Sequence, residues 1–250
     1  MDDNGQLMCY VLSEPWAATV ETAFSRSKPS FRPISCSQPS FFTMTTYKLY
    51  YFDGRGRAEL CRILLAYGNI EYEDVRVSSE EWTKLKPTMP MGQLPVLERD
   101  GDMLCKSPVI ARFLADTISL NGTTPWEKAK ASMLVQGTYD LMDDLLPVMK
   151  SMVVVDNKSY EEAWKEFYKN SLKPFLKQYR KFLAHSKSGW LIGRSLTYAD
   201  IAVAETLSLV TECYNTAALY MFQDLEFFMK RVFDFPVIKQ YIANRPKALF

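Results

Sequence analysis

Histidine is almost absent: the chain has one, His185, in 250 residues. Any Ser-His-Asp or Cys-His nucleophile system would have to be built on that residue alone. A histidine-rich metal centre is excluded. His185 follows Phe182-Leu183-Ala184 and reads as the last residue of a helix, where the dipole favours it. Cysteine is sparse and unpatterned. Cys9, Cys36, Cys61, Cys105 and Cys213 are odd in number, widely spaced and contain no CxxC pair. That argues against a disulfide framework or a four-cysteine zinc site and for reduced thiols in the cytoplasm. Neither sign of charge dominates, with Lys and Arg totalling 30, Asp and Glu 29, and a net charge of +1. The balance argues against a dedicated nucleic-acid binder and against a polybasic membrane-surface protein. No apolar run approaches the roughly 20 residues of a transmembrane helix, and no P-loop occurs. Gly193-Arg194-Ser195-Leu196-Thr197 begins like a nucleophile elbow but lacks its final glycine. Asp143-Asp144 is a carboxylate pair without metal partners and reads as a solvated helix face.

What is present is apolar and aromatic. Hydrophobic residues make up 48% and aromatic residues 14%, too rich for a mostly disordered chain. The length suits one large domain or two small ones. Residues 1–43 stand apart because no hydrophobic period is sustained there. Residues 24–43 hold six Ser, three Pro, three basic residues and no acid, a loop or disorder composition. The acidic start Met1-Asp2-Asp3 and the short apolar run Leu7–Leu12 do not make a signal peptide. We expect a disordered or non-native N-terminal extension over 1–43, with Met44 as the alternative start.

Tyr47–Phe52 is β-rich and reads as a strand. Asp53-Gly54-Arg55-Gly56 is turn chemistry. Leu60, Ile63, Leu64 and Tyr67 form a helical stripe, closed by Gly68 as a positive-φ C′ residue. Glu71–Val77 is a second strand, which a crossover helix makes parallel to the first. A short helical segment runs from Ser79 to Thr88. Leu94–Glu98 is the third strand, Asp100-Gly101 a turn, and Met103–Cys105 an antiparallel return. Ser107-Pro108 starts a helix to about Thr117, with Ser107 as N-cap. The order predicts a thioredoxin-like α/β domain over 44–120. After a linker at Asn121–Thr124, residues 125–250 read as all helix. Trp126–Val155 is long, with a kink at Pro147. Ser159–Glu162 and Thr197–Asp200 have capping-box spacing, and Leu196 with Ile201 fits a hydrophobic staple. Trp164, Tyr168, Leu172, Phe175, Tyr179 and Phe182 form one helical stripe.

Thioredoxin-like domains place chemistry at the end of the first strand. This chain has Tyr51 there and no cysteine, so dithiol exchange is disfavoured. A tyrosine hydroxyl can instead donate a hydrogen bond to a bound thiolate and favour that charged form. The run Tyr47-Lys48-Leu49-Tyr50-Tyr51-Phe52-Asp53-Gly54-Arg55-Gly56-Arg57-Ala58-Glu59 resembles the opening of sigma-class glutathione S-transferases. Met91–Leu97 resembles their glutathione-backbone loop, and Ser107–Leu114 and Gly193–Asp200 match further segments. The resemblance spans about 45–250. The family includes hematopoietic-type prostaglandin D synthases and the S-crystallins.

The resemblance implies roles residue by residue. Tyr51 would hydrogen-bond the glutathione sulfur, and Arg57 would reinforce it electrostatically. Tyr50, on the opposite strand face, reads as core packing. Trp82 and Lys86 would meet the glycine end of glutathione. Gln93 and Leu94 would pair with its cysteinyl backbone, turned by a cis Pro95. Ser107, at a helix start, would take the γ-glutamyl carboxylate. Lys106 stands where the family commonly has Gln. Asp140 would reach glutathione in a partner subunit, which implies a homodimer. Phe52, Met142, Leu146 and Met149 would wall the electrophile pocket, and Val148 replaces a large aromatic of the prostaglandin synthases. The expected activity is conjugation of reduced glutathione to small hydrophobic electrophiles, with no metal. A glutathione-dependent prostaglandin isomerase, a hydroperoxide reductase and a non-catalytic crystallin-like protein remain open alternatives.

Overall fold

The computed structural model describes residues 45–153 and 157–246. The expectations for 1–43 and the start at Met44 lie outside the described residues. The first domain is a four-stranded sheet with helices. Its elements are β1 (Tyr47–Phe52), α1 (Glu59–Tyr67), β2 (Glu73–Val77), α2 (Ser79–Leu85), β3 (Val96–Arg99), β4 (Asp102–Cys105) and α3 (Ser107–Thr117). Sheet order is β2-β1-β3-β4. β1 and β2 are parallel, while β1–β3 and β3–β4 are antiparallel. This is the α/β layer that the strand–helix–strand order predicts. Alternation along β1 sends Leu49 into the core, fully buried.

The register positions the site. Tyr50 pairs with Val96, and Val96 with Cys105. One residue further, Tyr51, Pro95 and Lys106 come to the same end of the sheet. Phe52 pairs with Val77, just before α2. Four separate stretches of sequence therefore converge at one rim.

The second domain is helical: α4 (Pro125–Asp144), α5 (Leu146–Val153), α6 (Asn157–Phe167), α7 (Lys173–His185), α8 (Tyr198–Leu209), α9 (Gln223–Phe233) and α10 (Pro236–Asn244). π-Helical turns at Tyr168–Leu172 and Val210–Tyr214 follow α6 and α8. α8 is buried along its whole length. One apolar core runs from Leu49, Leu97 and Ile110 of the first domain to Leu134, Leu176 and Val203 of the second. Among the described residues no helix is long and apolar enough to cross a membrane.

Several local expectations change. Gly68 caps α1 at φ −76°, and the positive φ falls on Asn69. Gly68 serves close packing instead, since an added Cβ would lie 2.5 Å from the Ile118 side chain. Ser107 is the first helical residue rather than the N-cap. The cap position is Lys106 at φ 75°, and no side chain bonds the helix end. The long helix breaks at Leu145, because Pro147 has no N–H to give the Asp143 carbonyl. Ser159 lies inside α6, so its capping box does not form. Tyr50 is not core: it is half-buried, and its hydroxyl donates to Glu98 at 2.7 Å. Burial and the neighbouring Glu98 carboxylate push its phenol up to about 12. His185 ends α7 as expected, with Nδ1 2.7 Å from the Lys181 carbonyl.

Candidate active site

At the end of β1 the chain turns sharply through Gly54 and Gly56 into a single 3-10 turn, Gly56–Ala58. Gly56 has φ +40°, a conformation that side-chain-bearing residues rarely adopt. The turn brings the Arg57 backbone N–H to the Tyr51 hydroxyl, which accepts it at 3.2 Å. Among the described residues no acceptor takes the proton of that hydroxyl. The hydroxyl keeps its O–H to give to an acceptor that enters from the rim. Accepting one hydrogen bond also strengthens the one a hydroxyl gives. The Arg62 guanidinium lies 5.9 Å from the Tyr51 ring centre.

The Arg57 side chain leaves the turn for the second domain. It pairs with Asp143 on α4 and lies 5.9 Å from the Tyr139 ring centre. Asp143 is therefore not the purely solvated acid that the sequence suggests. Tyr139 is buried, and its hydroxyl reaches the Arg57 carbonyl at 3.5 Å. Burial drives its phenol well above the ordinary range, so it stays protonated.

Trp82 on α2 stands edge-on to Phe52, with ring centres 5.9 Å apart. Lys86 follows one turn later, and the Lys86 backbone N–H donates to the Trp82 carbonyl. Its exposed side chain lies along Gly92. The Leu94–Pro95 peptide is cis, as the resemblance implies. Across the rim the Lys106 ammonium donates to the Gln93 side-chain carbonyl at 2.6 Å. Ser107 is buried at the start of α3. The structure thus gathers Tyr51, Phe52, Arg57, Trp82, Lys86, Gln93, Leu94, Pro95, Lys106 and Ser107 around one end of the sheet. The rim carries the Lys86 and Lys106 ammonium groups and several backbone groups, suited to a small extended anion.

The sequence matches two family descriptions, the glutathione S-transferase N-terminal domain over residues 47–116 and its C-terminal domain over 142–245. Glutathione S-transferase 4 of Caenorhabditis elegans is 39% identical over 209 residues, covering 82% of this chain and all of that protein. The chain belongs to the glutathione S-transferase family. Hematopoietic prostaglandin D synthase of Gallus gallus is 37% identical, covering 82% of this chain and 98% of that one. Among solved structures, a monomeric glutathione S-transferase, Na-GST-3, from Necator americanus superposes with a TM-score of 0.77 at 36% identity, covering 82% of this chain and all of that one. A rat hematopoietic prostaglandin D synthase bound to a quinoline superposes at 0.73 and 31% identity, covering the same shares. The family uses glutathione as a substrate.

The remaining candidate residues of this transferase lie on α4 and α5. Met142 and Met149 are half-buried against the core, while Leu146 and Phe52 are more open. Val148 is fully buried, so it packs the core rather than presenting a wall. Asp140 is exposed on α4 and accepts from the Gln136 amide at 2.8 Å. The structure does not bring it to the other candidates within this chain.

Sequence reasoning missed two residues of the site loop. Gly56 reads as plain turn chemistry, yet a Cβ there would lie 2.8 Å from the Tyr51 hydroxyl oxygen. Arg55 also reads as turn, yet it is buried, with Nε and one terminal nitrogen on Glu205 at 2.9 and 2.7 Å. The Arg-Gly-Arg spacing marks both neighbours of Gly56, but a partner 150 residues away leaves no local trace.

Proposed function

We propose that this transferase belongs to the sigma class and conjugates reduced glutathione to small hydrophobic electrophiles in the cytoplasm. The observation that carries the reading is the Tyr51 hydroxyl, held by the Arg57 N–H with its own proton free. Glutathione lies extended along the rim. Trp82 and Lys86 take its glycine end, and the Lys86 ammonium faces the glycine carboxylate. Gln93 and Leu94 pair with the cysteinyl backbone beside Pro95. Ser107 and Lys106 take the γ-glutamyl carboxylate at the start of α3, where the Val109 and Ile110 N–H groups turn back to the Lys106 carbonyl and leave the Ser107 N–H for the ligand. Asp140 of a second copy supplies an acid to the amino group, so the working form is a homodimer.

The sulfur then points at Tyr51. A donated hydrogen bond favours thiolate over thiol. The thiolate attacks the electrophile, which sits against Phe52, Met142, Leu146 and Met149, and the leaving group departs or the adduct takes a proton. Catalysis is positioning plus thiolate stabilisation. A shift of about two pKa units in the thiol corresponds to roughly 2.7 kcal/mol.

The test is Tyr51→Phe, assayed with glutathione across a panel of electrophiles. Conjugation should fall about 100-fold in kcat/KM, the rate equivalent of that stabilisation. Affinity for glutathione should stay within a few-fold. Full activity in the variant would remove Tyr51 from this role. A product assay with prostaglandin H on the unaltered protein separates conjugation from isomerisation.

A further inference from the structure

We infer that Arg245, near the C-terminal end of the chain, is a positioning residue for the loop between Tyr51 and Arg57, acting through three carboxylates that it shares with the loop and its helix. The inference rests on the reading of Tyr51 above and adds a control point outside the site. The two arginines of the loop point in different directions. Arg57 reaches α4, whereas Arg55 enters the second domain. There it donates to Glu205 Oε1, to Ser208 Oγ at 2.8 Å and to Glu212 Oε2 at 3.0 Å. Its carbonyl accepts the N–H groups of Ala58 and Glu59 at 3.3 and 3.2 Å and so opens α1. Moving Arg55 moves the turn that aims the Arg57 N–H at Tyr51.

Arg245 grips the same acids from the other side. It reaches Glu205 Oε2 at 3.1 Å, Glu212 Oε2 at 3.2 Å and Glu59 Oε1 at 3.3 Å. Its side chain is 8% exposed, and those of Glu59 and Glu205 are each 2% exposed. The inner cluster balances, with Arg55, Arg62 and Arg245 against Glu59, Glu205 and Glu212. Arg62 donates to Glu59 at 3.1 Å and to Asp74, which Arg76 also holds. The Tyr241 hydroxyl donates to Glu59 at 3.0 Å, and Tyr72 is the remaining titratable neighbour of Tyr241. Without Arg245, two arginines face three carboxylates, of which Glu59 on α1 and Glu205 on α8 are buried. Glu205 would then take up a proton, and a neutral acid holds Arg55 less tightly. Arginine suits the place because one planar fork spans three carboxylates, which an ammonium does not.

The sign of the pH effect follows. Burial already raises the Glu205 carboxyl, Glu59 adds to the rise, and Arg55 and Arg245 oppose it. A group raised in the folded state stabilises at low pH and loses that contribution as pH rises. Removing Arg245 raises it further, so the deficit should grow with pH.

Variants R245M, R245K and R245M/E205Q test this in the full chain. Three readouts serve: the Tm between pH 5.5 and 8.5, ultraviolet titration of bound glutathione thiolate, and KM against kcat. For R245M we expect a Tm several degrees below the unaltered protein at pH 8.5, with a smaller deficit at pH 5.5. The bound thiol should titrate higher and KM for glutathione should rise about tenfold, a size consistent with a displaced contact. R245K should recover part of the loss. In R245M/E205Q the deficit should lose its pH dependence. A pH-independent deficit in R245M, or an unchanged thiol titration beside a normal thiolate in the unaltered protein, would overturn the inference. If the unaltered protein shows no bound thiolate, the Tyr51 reading fails, and the Tm comparison alone decides whether Arg245 is coupled to Glu205.

Discussion

Gly56 and Tyr51 show how a reactive geometry depends on a missing side chain. The strand end, the tyrosine and the turn are legible in sequence, because β-rich residues stop at Asp-Gly and a hydroxyl replaces the expected thiol. That Gly56 makes room for the hydroxyl is not legible, since the contact forms only once the 3-10 turn closes. Gly56→Ala adds a Cβ at 2.8 Å from the hydroxyl oxygen and at φ +40°. The hydroxyl must shift by several tenths of an ångström, and the left-handed strain costs about 1–2 kcal/mol. Activity should suffer beyond stability, with kcat/KM down about 10-fold or more. Gly101→Ala is the control. It also has positive φ, at +88°, but its Cβ would meet nothing within 4 Å, so it should lose stability and keep kcat/KM. Equal activity losses in the two variants would deny Gly56 a role at Tyr51.

Helix α8 is the element on which the second domain is built, and its sequence hides that. All twelve residues are buried, so no polar face marks its orientation. A period-based reading succeeds on helices with one wet side and fails on one enclosed on every side. At α1 the period finds the helix but not the extent of its burial. Its stripe of Leu60, Ile63 and Leu64 is legible, but Cys61, Arg62 and Leu65 are buried as well. They occupy the helix faces left over by that stripe, and α1 packs on α8 and α10 as well as on α3. The stripe from Trp164 to Phe182 was legible as helix, but not the π turn within it, which adds a residue without breaking the apolar seam. The start of α8 was legible from Thr197–Asp200. Asp200 accepts from the Thr197 N–H at 2.8 Å, the Thr197 hydroxyl at 2.7 Å and the Leu191 N–H at 2.7 Å. It therefore ties the preceding loop to the helix as well as capping it. Asp200→Ala leaves two buried backbone donors without partners and should destabilise by roughly 3 kcal/mol, from about 1–3 kcal/mol for a buried unpaired group and about 1 kcal/mol for a cap. Urea unfolding measures it. A loss below about 1 kcal/mol, the size of a cap alone, would mean that water or the Thr197 hydroxyl replaces the carboxylate.

At the scale of the whole molecule the two domains share one core. The apolar cluster is continuous from the sheet to α9 and α10, and the Arg55–Glu205 pair is buried where the site loop meets α8. Domain order was legible, because the linker is short and polar and the pattern changes from mixed to helical there. The ion cluster between the domains was not, since the pairs that cross from one domain to the other are separated by 150 residues or more, as between Arg55 and Glu205 or Glu59 and Arg245. Such coupling predicts one unfolding transition for both domains. Far-ultraviolet circular dichroism, weighted to the helices, and tryptophan fluorescence should give coincident curves in urea. The midpoint should fall as pH drops from 6 to 3. Hydrogen bonds from Ser78 hold Glu81 below the usual carboxylate range, and those from Thr123 and Thr124 do the same for Glu127. At Asp116 burial pulls upward, but hydrogen bonds from Lys128 and Asn121 win and the carboxyl sits low. Groups lowered in the folded state stabilise above their unfolded pKa and lose that contribution as pH falls through the folded value. Glu205 and Asp200, raised by burial, change in the opposite sense and soften the acid limb. Curves that separate would show that the shared core does not bind the domains into one cooperative unit.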